Sequence, residues 1–126
     1  MAKSKLFDSV AHLDVIKTFN SNNKFFNENE KWYKNEVNKT LKEIKKSKMA
    51  IEINTSGYTY PCKGLFPSLW IIKQAKKLNI PITIGTDCHF AHQIDFKLDD
   101  TIKLAKNIGY KNIVMFKKRK MIKVLI

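Results

Sequence analysis

The sequence predicts an α/β protein with a parallel sheet and crossover helices. Short apolar runs alternate along the chain with longer segments in which apolar residues recur every three or four positions. Polar residues follow the apolar runs, and no internal repeat or low-complexity linker interrupts the pattern. Alternation of strands with helices is typical of parallel sheets, because the connection between parallel strands is usually a helix.

The apolar runs are predicted to be strands. Each is short, and the third ends in Gly85. The last run, at the C-terminus, is predicted to be a final strand. The predicted strands comprise residues 6–11, 50–54, 80–85, 112–116 and 121–126.

In chain order, the segments between these runs are predicted to contain a helical turn or short helix at residues 13–19, followed by helices at residues 32–48, 67–78 and 99–108. In the second helix the apolar residues are spaced by steps of four, four and three: Tyr33, Val37, Leu41 and Ile44. The third starts with Pro67, which is tolerated in a first helical turn, and Gly109 ends the fourth. The buried face of the third is expected to carry Leu69, Ile72, Ala75 and Leu78. Residues 20–30 and 55–64 are predicted loops.

Length and composition limit the class of protein. With 126 residues, of which 44% are hydrophobic, the chain is expected to form one globular domain or part of one. No apolar run is long enough to cross a bilayer and residues 1–20 lack the pattern of a signal peptide, so a cytoplasmic location is expected. Cys62 and Cys88 have no zinc-finger spacing and are expected to be reduced thiols.

The net charge of +13 raises the question of nucleic-acid binding. Only Arg119 among the 24 basic residues is an arginine, whereas direct readout of bases relies on arginine forks. The lysines are spread through every predicted helix, so a solvated lysine surface is the favoured interpretation and nucleic acid is not expected as a partner. The dense basic segment 117–120 remains a candidate for binding a phosphorylated small molecule.

The segment 85–89 (GTDCH) is the strongest candidate for a functional site. It follows a predicted strand and places Asp87 and His89 two residues apart, so that in extended backbone both side chains project to the same side. A carboxylate and an imidazole at one centre suit zinc, iron or manganese. On the triplet alone, a surface Asp beside a satisfied or exposed His is the commoner situation.

Polar residues also follow or close the other predicted strands. The complete set is His12 and Asp14, Glu52 and Asn54, Asp87 and His89, and Lys117 to Arg119. The carboxyl ends of parallel strands meet at one edge of a sheet, where ligands bind and catalysis occurs. The repeated coincidence favours a functional site at that edge over isolated surface residues.

These segments resemble the C-terminal half of a histidinol-phosphatase of the PHP (polymerase and histidinol phosphatase) family. The resemblance is collinear from about Phe7 to the C-terminus. It is carried by HLD at 12–14, MAIEINTSG at 49–57, YP at 60–61, IPITIGTDCH at 80–89 and FKKRK at 116–120.

The resemblance implies a distorted (β/α)7 barrel with a cluster of metal ions at its rim, of which residues 1–126 would be a single partial domain. It implies that His12, Asp87 and His89 are metal ligands and that Arg119 contacts the substrate phosphate. Asp87, His89 and Arg119 would then be the catalytic residues. The implied reaction hydrolyses L-histidinol phosphate to L-histidinol and phosphate, in histidine biosynthesis, with divalent Mn, Zn or Fe as cofactor.

The family's His-x-His motif and further ligands belong to an N-terminal half that lies outside this sequence. We therefore expect a split or truncated gene. The chain that it encodes would have an uncovered strand edge, which favours self-association or pairing with a separate N-terminal chain. Three functions stay open: an enzyme half that works with such a chain, an inactive remnant, and a module associated with nucleic-acid enzymes. Likeness to the phosphatase branch in the segment 52–57 argues against the third.

Each candidate residue also has a structural interpretation. His12 could be a core histidine that bonds a carbonyl. Glu52 points away from its neighbours Ile51 and Ile53, and could bond backbone or a lysine rather than a metal. Asn54 could shape the loop that follows it. The polar loop residues His92 and Asp95 are expected to be exposed to solvent.

Overall fold

The computed structural model describes residues 2–4 and 6–126. In chain order its strands and helices are β1 (Ser9–Val10), α1 (Lys31–Lys46), β2 (Ala50–Asn54), α2 (Leu69–Lys77), β3 (Ile82–Gly85), α3 (Leu98–Ile108), β4 (Asn112–Lys117) and β5 (Lys120–Leu125). Turns of 3₁₀ helix occupy Ala2–Ser4, Val15–Lys17, Ser21–Asn23, Ser56–Thr59 and Ala91–Gln93. The predicted α/β class is confirmed, although β1 is shorter than the predicted strand 6–11.

The strands β1, β2 and β3 form a parallel sheet in that order. Val10 pairs with Ile51, and Ile51 pairs in turn with Ile82. At the carboxyl end Asn54 pairs with Gly85, so β2 and β3 end level with each other. Within the described residues the sheet does not close, and β1 has β2 as its one neighbour. The outer edge of β1 is therefore an unpaired strand edge.

The two C-terminal strands form a separate antiparallel hairpin. Lys117 pairs with Lys120, and the turn between them consists of Lys118 and Arg119, both at positive φ (49° and 63°). Two-residue turns of this kind join antiparallel strands, because a parallel connection needs a crossover. β4 lies beside β3 but bonds to β5 and not to the parallel sheet. The expectation that the fourth strand extends the parallel sheet is therefore wrong.

The core lies between the parallel sheet and helices α1 and α2. The apolar stripe predicted for α1 is confirmed, since Tyr33, Leu41 and Ile44 are buried and Val37 is partly buried. Ile51 and Ile53 of β2 are completely buried against them. Burying side chains of this size is the main source of stability, at about 1.5–3 kcal/mol each.

The buried face of α2 differs from the predicted one. Leu69 is 43% exposed, whereas Ile71, Ile72 and Ala75 are buried. The reason is the start of the helix: α2 begins at Leu69 after Ser68, not at Pro67, so Leu69 lies in the first turn at the surface.

The end of α3 agrees with the sequence, because Gly109 has the left-handed conformation (φ 103°) that favours glycine. In the described part of the chain no helix combines the length and apolar character needed to span a membrane.

Candidate functional site

The loop after β3 brings the carboxylate of Asp87 and the imidazole of His89 together. Asp87 has a positive φ of 49°, which turns the chain directly after the strand. Its Oδ1 lies 3.9 Å from Nε2 of His89, and both side chains are exposed. The side chain of Gln93 steadies this loop, because its Oε1 accepts hydrogen bonds from the backbone N–H groups of His89 (3.0 Å) and Phe90 (3.2 Å). Gln93 carries no sequence motif and was not predicted.

His12 lies at the corresponding end of β1 and is partly buried. Together with Asp87 it lines a cavity of about 340 Å³, whose apolar walls include Phe19 and Phe66. A second cavity, of about 150 Å³, is lined by Asp87 and His89. Ser56 and Tyr60 line both cavities as well. His12 and His89 therefore border one region of the surface, because Asp87, Ser56 and Tyr60 line both cavities.

The predicted ligands are only partly assembled. Asp87 and His89 have the oxygen and nitrogen donors that suit zinc, iron or manganese. Within residues 2–4 and 6–126, however, no three His, Cys, Asp or Glu side chains are grouped closely enough to hold a metal ion. His12 shares a cavity with Asp87 without completing such a group. The described residues therefore do not form a complete metal site by themselves, and the ligand roles of His12, Asp87 and His89 stay predictions.

Glu52 and Asn54, at the end of β2, have structural partners. Oε2 of Glu52 accepts a hydrogen bond from the backbone N–H of His12 (3.2 Å) and another from Nδ2 of Asn54 (2.9 Å). Asn54 is completely buried, and its Oδ1 accepts a bond from the backbone N–H of Ser56 (2.8 Å). Glu52 thus bonds backbone, as the structural interpretation expects, and Asn54 shapes the following loop.

Asp14 is engaged in a buried ionic network. Its Oδ2 lies 3.1 Å from Nζ of Lys17 and accepts bonds from the backbone N–H and the hydroxyl of Ser68 (2.9 and 2.7 Å). Lys17 also donates to the carbonyl of Leu65 (2.7 Å). Burial, together with the carboxylates of Asp14 and Glu28, raises the pKa of the nearby Tyr33 phenol well above its usual value. This network anchors the loop after β1 to the start of α2 and was not predicted.

The turn of the hairpin places Arg119 beside Asp8, the residue that precedes β1. Nε and Nη2 of Arg119 donate to the two carboxylate oxygens of Asp8, each at 3.1 Å. The hydrogen bond to Asp8, and the attraction of its charge, raise the pKa of the guanidinium. Arg119 lines neither of the two cavities that Asp87 lines, and its described side-chain partner is Asp8. Its role toward phosphate stays a prediction.

Comparisons with known proteins bear on the nature of this site. No protein-family model matches the chain. A probable histidinol-phosphatase of Deinococcus radiodurans is 27% identical over 120 residues, which are 95% of this chain and 43% of that protein. A probable histidinol-phosphatase of Clostridium acetobutylicum is 32% identical over 120 residues, or 90% of this chain and 44% of that protein.

The chain is similar to probable histidinol-phosphatases over almost its whole length. A probable phosphatase of a Thermoanaerobacter species is also similar, with 30% identity over 78 residues, or 61% of this chain and 31% of that protein. The resemblance found in the motifs is thus confirmed by relatives that match almost the whole chain. The chain spans less than half the length of the two histidinol-phosphatases, which is consistent with a C-terminal half.

Proposed function

We propose that this chain is the C-terminal part of a metal-dependent phosphomonoester hydrolase that acts on L-histidinol phosphate. The observation that carries the proposal is the likeness to two probable histidinol-phosphatases over at least 90% of the chain. The position of Asp87 and His89 directly after a parallel strand supports it, because this edge of an α/β sheet is where catalytic residues are found.

His12, Asp87 and His89 would supply protein ligands to divalent Mn, Zn or Fe. Bound ions of this type polarise the phosphate oxygens and lower the pKa of a water molecule. Since the described residues supply no group of three ligands, the proposal requires further donors from a second polypeptide segment. The apolar cavity beside His12 and Asp87 has room for the body of a small substrate.

The second segment would correspond to the part of the relatives that this chain does not match. The open edge of β1 is the natural place for it, because an unpaired edge offers free backbone hydrogen-bonding groups. Large apolar side chains that precede or follow β1 in the sequence are exposed to water. We call Phe7, Val15, Ile16 and Phe19 the β1-edge surface; each of them is at least 50% exposed. A second segment that covered this surface and extended the sheet would complete the barrel of which this chain supplies a part.

Arg119 would bind the substrate phosphate through its planar guanidinium. In this structure the same donor groups contact the carboxylate of Asp8. A carboxylate and a phosphate present oxygen atoms to a guanidinium in similar geometry. Phosphate binding therefore requires that Arg119 release the carboxylate of Asp8 and bind the phosphate instead. Such an exchange is feasible for an ion pair at the surface, where water stabilises both separated groups.

The test is complementation. The chain is mixed with the segment of the Clostridium acetobutylicum relative that it does not match, and phosphate release from L-histidinol phosphate is followed with added manganese or zinc. We expect feeble release from the chain alone and clear turnover from the mixture. Asp87→Ala should abolish turnover, whereas Asp95→Ala, which changes an exposed loop carboxylate, should preserve it.

Three outcomes would contradict the proposal. A mixture that forms a complex and binds metal but releases no phosphate would indicate an inactive remnant. Full activity of the chain without any partner would show that it needs no second segment. Steeply salt-dependent binding of DNA by the complex, with no phosphatase activity, would instead favour a module that serves nucleic-acid enzymes.

A further inference from the structure

Glu52 occupies an unusual position on the central strand of the parallel sheet. Its neighbours Ile51 and Ile53 are completely buried, whereas Glu52 is partly buried and points to the opposite face. A carboxylate on a central strand loses much of its hydration and is retained where specific donors replace the water. The partners of Glu52 therefore indicate what it does.

The carboxylate of Glu52 contacts the ends of all three parallel strands. Oε2 accepts hydrogen bonds from the backbone N–H of His12, after β1, and from Nδ2 of Asn54, the last residue of β2. Oε1 lies against Gly85, the last residue of β3: a Cβ atom built on Gly85 would stand only 2.2 Å from it. A side chain at position 85 would therefore displace the Glu52 carboxylate.

The bond to His12 holds a backbone that is otherwise unfavourable. His12 has a positive φ of 33°, a conformation that residues with a Cβ rarely adopt. Its N–H donates to Glu52, and its carbonyl accepts from the N–H of Val15 (3.0 Å). Without Glu52 the first of these restraints is lost, and the chain after β1 is free to relax toward a more common conformation.

We propose that Glu52 is a positioning residue that holds His12 and Asp87 beside the same cavity. It fixes the backbone of His12 directly, and it fixes Asp87 through Gly85, two residues earlier. The assignment of His12 and Asp87 as metal ligands rests on the proposed function. The contacts of Glu52 with the ends of the three strands do not depend on it. Glu52 acts through hydrogen bonds and packing, because Oε2 already has two donors and Oε1 is packed on Gly85.

This role distinguishes Glu52 from a metal ligand, because a neutral amide can perform it. In Glu52→Gln the side-chain oxygen can still accept from His12 and Asn54, so the positioning is retained. In Glu52→Ala both bonds are lost. In Gly85→Ala the added methyl group displaces the carboxylate. Matched controls are Glu36→Ala, which removes an exposed glutamate of α1, and Gly64→Ala, where an added Cβ would make an ordinary 3.7 Å contact.

The experiment uses nuclear magnetic resonance on the full chain, with amide exchange and Mn²⁺ titration as two separate readouts. We expect the His12 amide to exchange at least about tenfold faster in Glu52→Ala and Gly85→Ala, since a bond to a charged acceptor is lost. Both controls should exchange like the wild type, and Glu52→Gln, whose neutral oxygen still accepts the bond, should exchange more slowly than Glu52→Ala. Mn²⁺ should broaden the His12 and Asp87 signals together in the wild type and in Glu52→Gln, but not together in Glu52→Ala.

Unchanged His12 exchange in Glu52→Ala would overturn the positioning role. A second result would also overturn it: in Glu52→Gln the His12 amide stays protected, but Mn²⁺ no longer broadens the His12 and Asp87 signals together. The Glu52 carboxylate would then be a metal ligand and not a positioning group. If Mn²⁺ broadens neither His12 nor Asp87 in the wild type, the proposed metal site fails. The exchange rates of the variants would still decide whether Glu52 holds the strand ends.

Discussion

Arg119 and Asp8, which are 111 residues apart in the sequence, are joined by two parallel hydrogen bonds of 3.1 Å. The contact ties the tip of the C-terminal hairpin to the residue before β1. It is formed by the one arginine of the chain, although several lysines lie within a few residues. A planar fork matches two carboxylate oxygens, or two phosphate oxygens, better than an ammonium group does.

The first prediction uses this geometry in the complemented enzyme. Arg119→Lys should lower turnover of L-histidinol phosphate by about tenfold or more, because a lysine cannot make the paired bonds to phosphate. Lys118→Ala, in the same turn, should lower it far less. Steady-state rates of the two variants test this prediction. If both substitutions lowered turnover equally, Arg119 would have no special role in binding the substrate phosphate.

The second prediction concerns metal binding by the chain itself. Asp87 and His89 are adjacent, so the isolated chain should bind a divalent ion weakly and gain thermal stability from it by mass action. The double substitution Asp87→Ala with His89→Ala should abolish this gain, measured as the shift in melting temperature with added zinc or manganese. The double substitution His92→Ala with Asp95→Ala, in the exposed loop, is the control and should retain it.

The third prediction concerns the buried pair of Asp14 and Lys17. Asp14→Ala should lower the free energy of unfolding by about 3–5 kcal/mol, because it leaves the ammonium of Lys17 buried without its partner. Glu36→Ala removes a partner of Lys39 from an exposed pair and should cost no more than about 1 kcal/mol. Urea denaturation of both variants measures the difference. Equal effects would mean that the network is open to water.

The fourth prediction concerns stability at high pH. Burial raises the pKa of Tyr110 well above its ordinary value of 10.0, and its hydroxyl donates to the carbonyl of Ile80 (3.2 Å). The unfolded phenol ionises near 10.0, so this contribution to stability is complete below that pH and is lost as the pH rises above it. Unfolding curves of Tyr110→Phe should fall less steeply above this pH than those of the wild type. Parallel curves would contradict the prediction.

The fifth prediction concerns the β1-edge surface. Because Ile16 and Phe19 are 67% and 64% exposed and the outer edge of β1 is unpaired, the isolated chain should bind hydrophobic dyes and associate. The double substitution Ile16→Lys with Phe19→Ser should reduce dye fluorescence and association, whereas Phe90→Ser, equally exposed in the loop after β3, should reduce them less. A sharply melting monomer that binds no dye would show that this surface needs no partner.

Local features of the fold were predictable because neighbouring residues encode them. The strand 50–54 was predicted with the observed bounds, and the stripe on α1 follows from the spacing of Tyr33, Leu41 and Ile44. The place of Asp87 and His89 after β3 was predictable for the same reason, since the apolar run and the polar triplet are contiguous. The conformation of the loop was not predictable in this way, because the prediction assumed extended backbone whereas Asp87 has a positive φ of 49° and turns the chain.

The sequence by itself determined the order of strands and helices, the apolar faces and the position of the Asp87 and His89 pair, because each depends on residues within a few positions of one another. Only the tertiary structure decided that β4 pairs with β5, that Glu52 bonds the backbone of His12, and that Arg119 contacts Asp8. These partners are brought together by the packing of the whole chain. Many exposed lysines and carboxylates of similar chemistry compete for each such contact, so composition and spacing alone do not select among them.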